Sequence, residues 1–169
     1  MTKSVQKTES RDEREKVFGL IKDIEFCMMV TQGADGHLFS RPMAAQERDE
    51  QDQLWFFTSA NSPKIEEIVQ NPAVLLSYAD PDDNCYVSVS GEAAVVRDRA
   101  LVERFWNEKL KAWFPKGKDD PSIALICVTP MSAEYWDAPS STFVQAFGYL
   151  KAQLTGKQPD IGENKIVRM

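Results

Sequence analysis

Turn-forming clusters cut this chain at short intervals between Phe26 and Asp137, and that punctuation confines it to short elements. The runs between the clusters are apolar, aromatic or β-branched: Phe26–Gln32, His37–Glu47, Leu54–Thr58, Ala73–Ala79, Cys85–Ser90 with its extension Glu92–Arg97, Ile123–Val128 and Ala133–Asp137. Runs of this kind read as strands. The first two flank Gly33-Ala34-Asp35-Gly36, whose Asp-Gly tip is a hairpin signal. Leu54–Thr58 (LWFFT) is apolar enough to be buried on both faces. Gly91 marks a bulge or bend, and Pro130 separates the last two runs. Six or seven short strands in adjacent hairpin order favour a closed or nearly closed antiparallel β-barrel over a parallel sheet.

Helices take the remaining positions. Val17, Leu20, Ile21 and Ile24 form one apolar stripe on a helix from about Arg11 to Ile24. Ser62 is placed to cap a short helix that starts with Pro63, has Ile65, Ile68 and Val69 on its apolar side and stops at Asn71-Pro72. Asp98 is placed to cap another running to about Lys111, with Leu101, Val102, Phe105 and Trp106 inward. Phe143, Phe147, Leu150 and Leu154 stripe a last helix that Gly156 ends. The fold class expected is therefore mainly β, a barrel with peripheral helices. A length of 169 residues suits one domain, taken as residues 11–155 between a flexible N-terminus at 1–10 and a C-terminal tail at 156–169.

Composition removes several functions. A net charge of −6 opposes broad nucleic-acid or anionic-membrane binding, though one small basic pocket is compatible with it. Cys27, Cys85 and Cys127 are odd in number and widely spaced, which fits buried thiols in a reducing cytosol rather than a disulfide or zinc framework. No apolar run is long enough to cross a membrane as a helix, and the N-terminal stretch lacks the apolar centre of a signal peptide. His37 is the sole histidine, so His-based triads and His-rich metal sites are excluded except through that residue. Neither a dinucleotide fingerprint nor a phosphate-binding Walker loop is present.

One constellation carries chemistry. The strand LWFFTS runs directly into Asn61-Ser62-Pro63-Lys64, a helix start. Free N–H groups there suit a phosphate; Thr58, Ser59 and Ser62 add hydroxyls, and Lys64 adds a full positive charge. A lysine in the first turn opposes the helix dipole, a conflict that a bound anion removes. Taken alone, such spacing more often marks an ordinary capped surface helix. Ser40-Arg41-Pro42-Met43 lies on the preceding strand, from which Arg41 can reach the same anion if the strands pair. Trp55, Phe56, Trp106 and Trp136 read as core, whereas Trp113-Phe114 sits in a polar loop where it could cover a ring or a partner surface.

Together with Asn71-Pro72-Ala73-Val74 and Val87-Ser88-Val89-Ser90-Gly91-Glu92-Ala93, these runs resemble the pyridoxamine 5′-phosphate oxidase-like superfamily. The later pieces Trp113–Gly117, Asp119–Pro121 and Ala133–Asp137 are similar to its general stress protein 26 branch. The resemblance implies an FMN-binding split β-barrel of six to seven antiparallel strands and a homodimer with flavin at the interface. FAD or a deazaflavin is the alternative cofactor. It further implies that Arg41 and Lys64 hold the flavin phosphate, assisted by Thr58, Ser59 and Ser62. Pro42 and Met43 would lie along the isoalloxazine, Phe57 near the ribityl arm, and Trp113 would come from the second subunit. Cys85–Ser90 reads CYVSVS where the true oxidase carries an Arg-Gln-x-Arg run, and the C-terminal IGENKIVRM lacks its Arg-Leu-x-Pro ending. What is implied is thus a cytoplasmic flavin-dependent oxidoreductase with an unnamed small-molecule electron donor or acceptor, or a non-catalytic, redox-responsive flavin binder. No catalytic residue is assigned.

Overall fold

The computed structural model describes residues 2–46, 48–138 and 163–169, with side chains from residue 11 onward. Seven strands share one sheet: β1 (Phe26–Gln32), β2 (Leu38–Ala44), β3 (Leu54–Ser59), β4 (Ala73–Asp80), β5 (Cys85–Val96), β6 (Ile123–Asp137) and β7 (Glu163–Arg168). Their order is β2-β1-β4-β5-β6-β3, with β7 pairing β6. The class is mainly β, as the punctuation requires. The sheet stays open, because its end strands β2 and β3 meet only at the bridge Ala45–Phe56. Among the described residues three α-helices accompany it: α1 (Thr2–Ile21), α2 (Pro63–Gln70) and α3 (Arg99–Phe105).

The described residues fall into two compact units, and β4, β5 and β6 contribute residues to both. One unit holds residues 1–24, 77–88 and 132–169. There α1 buries Val17, Phe18 and Ile21. Lys16 of α1 pairs with Asp137 at 3.1 Å and with Glu163, which also accepts the Tyr135 hydroxyl at 2.7 Å. β7 joins β6 in antiparallel register from Ser132–Arg168 to Asp137–Glu163. This strand, with only Val167 buried, lay within the expected tail. Its sequence, ENKIVR, is too short and charged to announce itself. α1 starts at Thr2, within the expected flexible N-terminus, and ends at Ile21 rather than Ile24. The expected helix around Phe143, Phe147, Leu150 and Leu154 lies outside the described residues.

The other unit holds residues 25–76 and 89–131. Its hairpin β1–β2 turns on Gly36 at φ +84°, with Gly33 N–H donating to His37 O at 2.8 Å. β3 is buried through Thr58, and Trp55 and Phe57 enter a cluster with Val102, Leu110, Phe114, Ile123, Leu125 and Cys127. Phe114 is therefore core rather than a loop aromatic. Asp98 caps α3 by accepting from Ala100 N–H at 2.8 Å. The helix stops at Phe105 instead of near Lys111, because the Asn107 side chain caps a separate 3₁₀ turn, Glu108–Ala112.

Pro130, read from the sequence as a strand break, and Gly91, read as a bulge or bend, both lie within continuous strands. Pro130 sits within β6, after its ladder with β3 (Ile123–Val128) and before its ladder with β7. A residue without an N–H is tolerated between two ladders. β5 likewise runs through Gly91, where an added Cβ would lie 2.5 Å from Thr129 O. Glycine is there for close approach of two backbones, and the obstructing atom is backbone that cannot swing aside. Gly91→Ala should cost about 2 kcal/mol by overpacking. Urea unfolding checks this, with an unchanged midpoint as the opposing result.

Candidate functional site

Every residue of the proposed phosphate end lies in the second unit. After Ser59 the chain turns through Ser62 N–H to Ser59 O, 3.0 Å, and Pro63 opens α2. Ser62 occupies the cap position in extended conformation, but its hydroxyl makes no capping bond to the helix backbone. It accepts instead from Lys64 Nζ at 2.9 Å. Lys64 Nζ also donates to the Thr58 hydroxyl at 3.2 Å. The lysine thus folds back over the strand–helix junction, its ammonium resting on two neutral oxygens. Desolvation first and the Arg41 guanidinium second lower the Lys64 pKa, while Glu67 opposes them. A half-buried ammonium held near a second cation is short of negative charge.

Arg41 arrives from β2. In the β1–β2 register it faces Met29, on the same side of the ladder as Cys27, Thr31 and Met43, whose own side chains are buried. Its guanidinium lies 5.1 Å from the Phe39 ring and forks onto Glu67 of α2. NH1 and NH2 each donate to one carboxylate oxygen at 2.7 Å, and NH1 also donates to the Thr31 hydroxyl at 2.9 Å. Two parallel charge-assisted bonds make this the strong form of ion pair. The side chains are 27% and 10% exposed, so water screens the pair little. Arg41's hydrogen bonds hold the Glu67 carboxyl below its ordinary value, outweighing the opposing effect of burial, and Thr31 adds to them.

The sequence placed Val69 on the buried side of α2, yet Val69 is 72% exposed and Glu67 is buried in company with Ile65 and Ile68. Arg41 is the reason, since a carboxylate with two donors on it tolerates burial. Glu67 and Thr31 are the residues that sequence reasoning missed. Their only signal was the arginine itself, on a strand whose partner side chain could be identified only in three dimensions.

The structure brings together Arg41, Thr58, Ser62 and Lys64. Ser59 is beside them in sequence, its hydroxyl accepting from Asn61 N–H at 3.4 Å. Pro42 lies on the opposite, exposed side of the β1–β2 ladder, opposite Met28. Met43 points into the core at 6% exposure, and Phe57 packs against Trp106 and Phe114. Trp113 is 56% exposed and its ring stands 6.3 Å from that of Phe26 in the same chain. Trp136, read as core, is exposed. His37 pairs with Asp35 at the hairpin turn at 2.9 Å, exposed to solvent. The three cysteines are buried, and desolvation pushes the Cys127 thiol up to about 11.

The Arg41–Glu67 pair fixes a pH dependence. Glu67 titrates lower folded than unfolded, so its contribution is complete above the ordinary value of 4.5 and is lost as pH falls through the lowered one. Glu67→Gln should therefore cost about 3 kcal/mol near pH 7. The gap between variant and parent should close as pH falls below 4.5. Denaturant midpoints from pH 7 to pH 3 check it, and a gap that does not vary with pH would contradict it.

Comparison with known proteins matches residues 12–160 to the family described as pyridoxamine 5′-phosphate oxidase like. The Neurospora crassa protein bli-3 is 28% identical over 149 residues, covering 82% of this chain and 71% of its own. A general stress protein 26 candidate from Jannaschia sp. CCS1 superposes with TM-score 0.75 at 25% identity, covering 94% of this chain and 99% of that one. The general stress FMN/FAD binding protein of Xanthomonas citri does so with TM-score 0.64 at 32% identity, covering 75% of this chain and 89% of that one.

Proposed function

Because the chain belongs to the pyridoxamine 5′-phosphate oxidase-like family, we propose that it is a flavin-binding general stress protein that grips FMN by its phosphate. The observation that carries this reading is the Lys64 ammonium, turned back onto the Thr58 and Ser62 hydroxyls and within electrostatic reach of Arg41. A phosphate oxygen there would meet two cations, two hydroxyls and the start of α2, a donor set whose chemistry fits a phosphate monoester. Arg41 can take part without leaving Glu67, because the fork and Thr31 engage three of its five N–H groups.

An apolar surface supports a place for the ring. Phe26, Met28 and Pro42 lie on the exposed side of the β1–β2 ladder, and Trp113 extends the strip from Phe26. Since β2 is an end strand, such a strip suits a flat tricyclic ligand that reaches round its edge from the cationic side, with a second copy of the chain closing over it. The assembly in this reading is a homodimer, with Trp113 covering flavin from one subunit or the other. A bound flavin supplies the electron-transfer chemistry itself. The chain's residues fix the phosphate, orient the ring and limit access to it. The activity proposed is a cytoplasmic flavin-dependent oxidoreductase acting on a small molecule.

Titration with FMN and with riboflavin tests the binding claim, since riboflavin lacks the phosphate. Lys64→Ala and Arg41→Ala should each weaken FMN by about 1.5–3 kcal/mol and leave riboflavin nearly unchanged. Equal losses for both ligands would refute the assignment. Turnover of NADH or NADPH by the flavin-loaded protein tests the activity, and bound flavin without turnover would identify the non-catalytic alternative. Trp113→Ala should lower flavin affinity without lowering the melting temperature, and dilution below the dimer's dissociation constant should release flavin. A monomer that retains flavin at high dilution would contradict the shared site.

A further inference from the structure

A site built to attract an anion contains one already. Glu67 sits one turn along α2 from Lys64, buried, with both oxygens taken by Arg41 and one also by Thr31. We propose that Glu67 is a specificity-determining residue, an internal counter-anion that sets how tightly the Arg41–Lys64 site holds a phosphate monoester. This rests on the reading of that site as the flavin-phosphate site.

The argument is one of charge. Arg41 and Lys64 supply two positive charges, and Glu67 cancels one of them. The lysine senses both neighbours, being depressed by Arg41 and raised by Glu67, so the three groups act as one electrostatic unit. A phosphate monoester near neutral pH brings more than one negative charge. It therefore overfills a cluster of net charge +1 but would be matched by a cluster of net charge +2. Without ligand, Glu67 keeps a half-buried arginine paired and already oriented toward α2. With ligand, the same carboxylate repels the phosphate across the shared guanidinium. Affinity is thereby held below what the two cations would give alone, and the bound phosphate stays exchangeable.

Removing the charge from Glu67 should reverse both effects. It leaves the positive charges of Arg41 and Lys64 without an anion between them in charge balance, a repulsion that an incoming phosphate relieves. Whatever destabilises the free protein but not the complex tightens binding by the same amount. The phosphate recovers part of what the substitution costs the free protein, and Glu67→Gln should bind FMN about tenfold more tightly than the parent. Its riboflavin affinity should stay within about twofold, since that ligand carries no phosphate to sense the change. Glu67→Asp keeps the negative charge and should show no gain.

A second pair of variants gives the answer if Glu67→Gln folds poorly. In Arg41→Gln the carboxylate of Glu67 remains, unpaired and repulsive. The double variant R41Q/E67Q has neither a lone buried cation nor a lone buried anion and should be close to the parent in stability. It should bind FMN about tenfold more tightly than Arg41→Gln alone. Isothermal titration with FMN, riboflavin and inorganic phosphate reads all these affinities. A tighter FMN constant in both comparisons, with riboflavin unmoved, establishes the counter-anion. Unchanged or weaker FMN binding in Glu67→Gln, or a double variant no tighter than Arg41→Gln, overturns it. A parent protein that binds FMN no better than riboflavin removes the phosphate site and this role with it. A parent that prefers FMN while Glu67→Gln shows no gain removes only the role.

Discussion

Arg41 reaches from β2 to Glu67 on α2 with both terminal nitrogens, and this fork organises the whole cationic cluster. It ties the β1–β2 hairpin to a helix only eight residues long. A helix of that length has little stability of its own and depends on tertiary contacts for its place. Ile65 and Ile68 supply the apolar part, Asn71 bonds to Gln32 of β1 at its far end, and Glu67 supplies the charged part. Fixing α2 fixes Lys64, which can then turn back onto Thr58 and Ser62. The position of the lysine is therefore a consequence of an ion pair one turn further along the helix.

This arrangement reconciles two demands that ordinarily conflict. A phosphate site needs cations in partly desolvated surroundings, where each is costly while the ligand is away. Thr58 and Ser62 ease that cost for Lys64 with neutral oxygens, and Glu67 with Thr31 eases it for Arg41 with a full charge. The site is strongly attractive at the lysine and already half satisfied at the arginine. Family membership and the structural likeness to an FMN/FAD binding protein of Xanthomonas citri make flavin the natural ligand to test on it.

Much of this was written in local sequence. The β1–β2 hairpin follows from the Asp35-Gly36 tip, β3 from an unbroken aromatic run, and the α3 cap from Asp98. The cluster of Arg41, Thr58, Ser62 and Lys64 was readable because each residue type matched a phosphate and three of them share one strand–helix junction. What escaped depended on distant partners. Glu67 was not singled out because its partner Arg41 lies on β2, distant in sequence, and Val69 was given its place. Pro130 looked like a strand break and Gly91 like a bulge or bend because sequence shows the missing N–H or side chain but not the neighbouring backbone. β7 needed β6 beside it to become a strand at all. Trp113 and Phe114 are adjacent in sequence yet one is exposed and the other buried, a distinction set by the core around Phe57.

The central claim is spatial: the cationic cluster receives the ligand's phosphate. A crystal structure of the protein with FMN tests it most directly. The account predicts phosphate oxygens accepting from Lys64 Nζ and from Arg41, with the Thr58 and Ser62 hydroxyls as further partners and Glu67 still paired to Arg41. A flavin bound with its phosphate in solvent, or on another part of the chain, would contradict it.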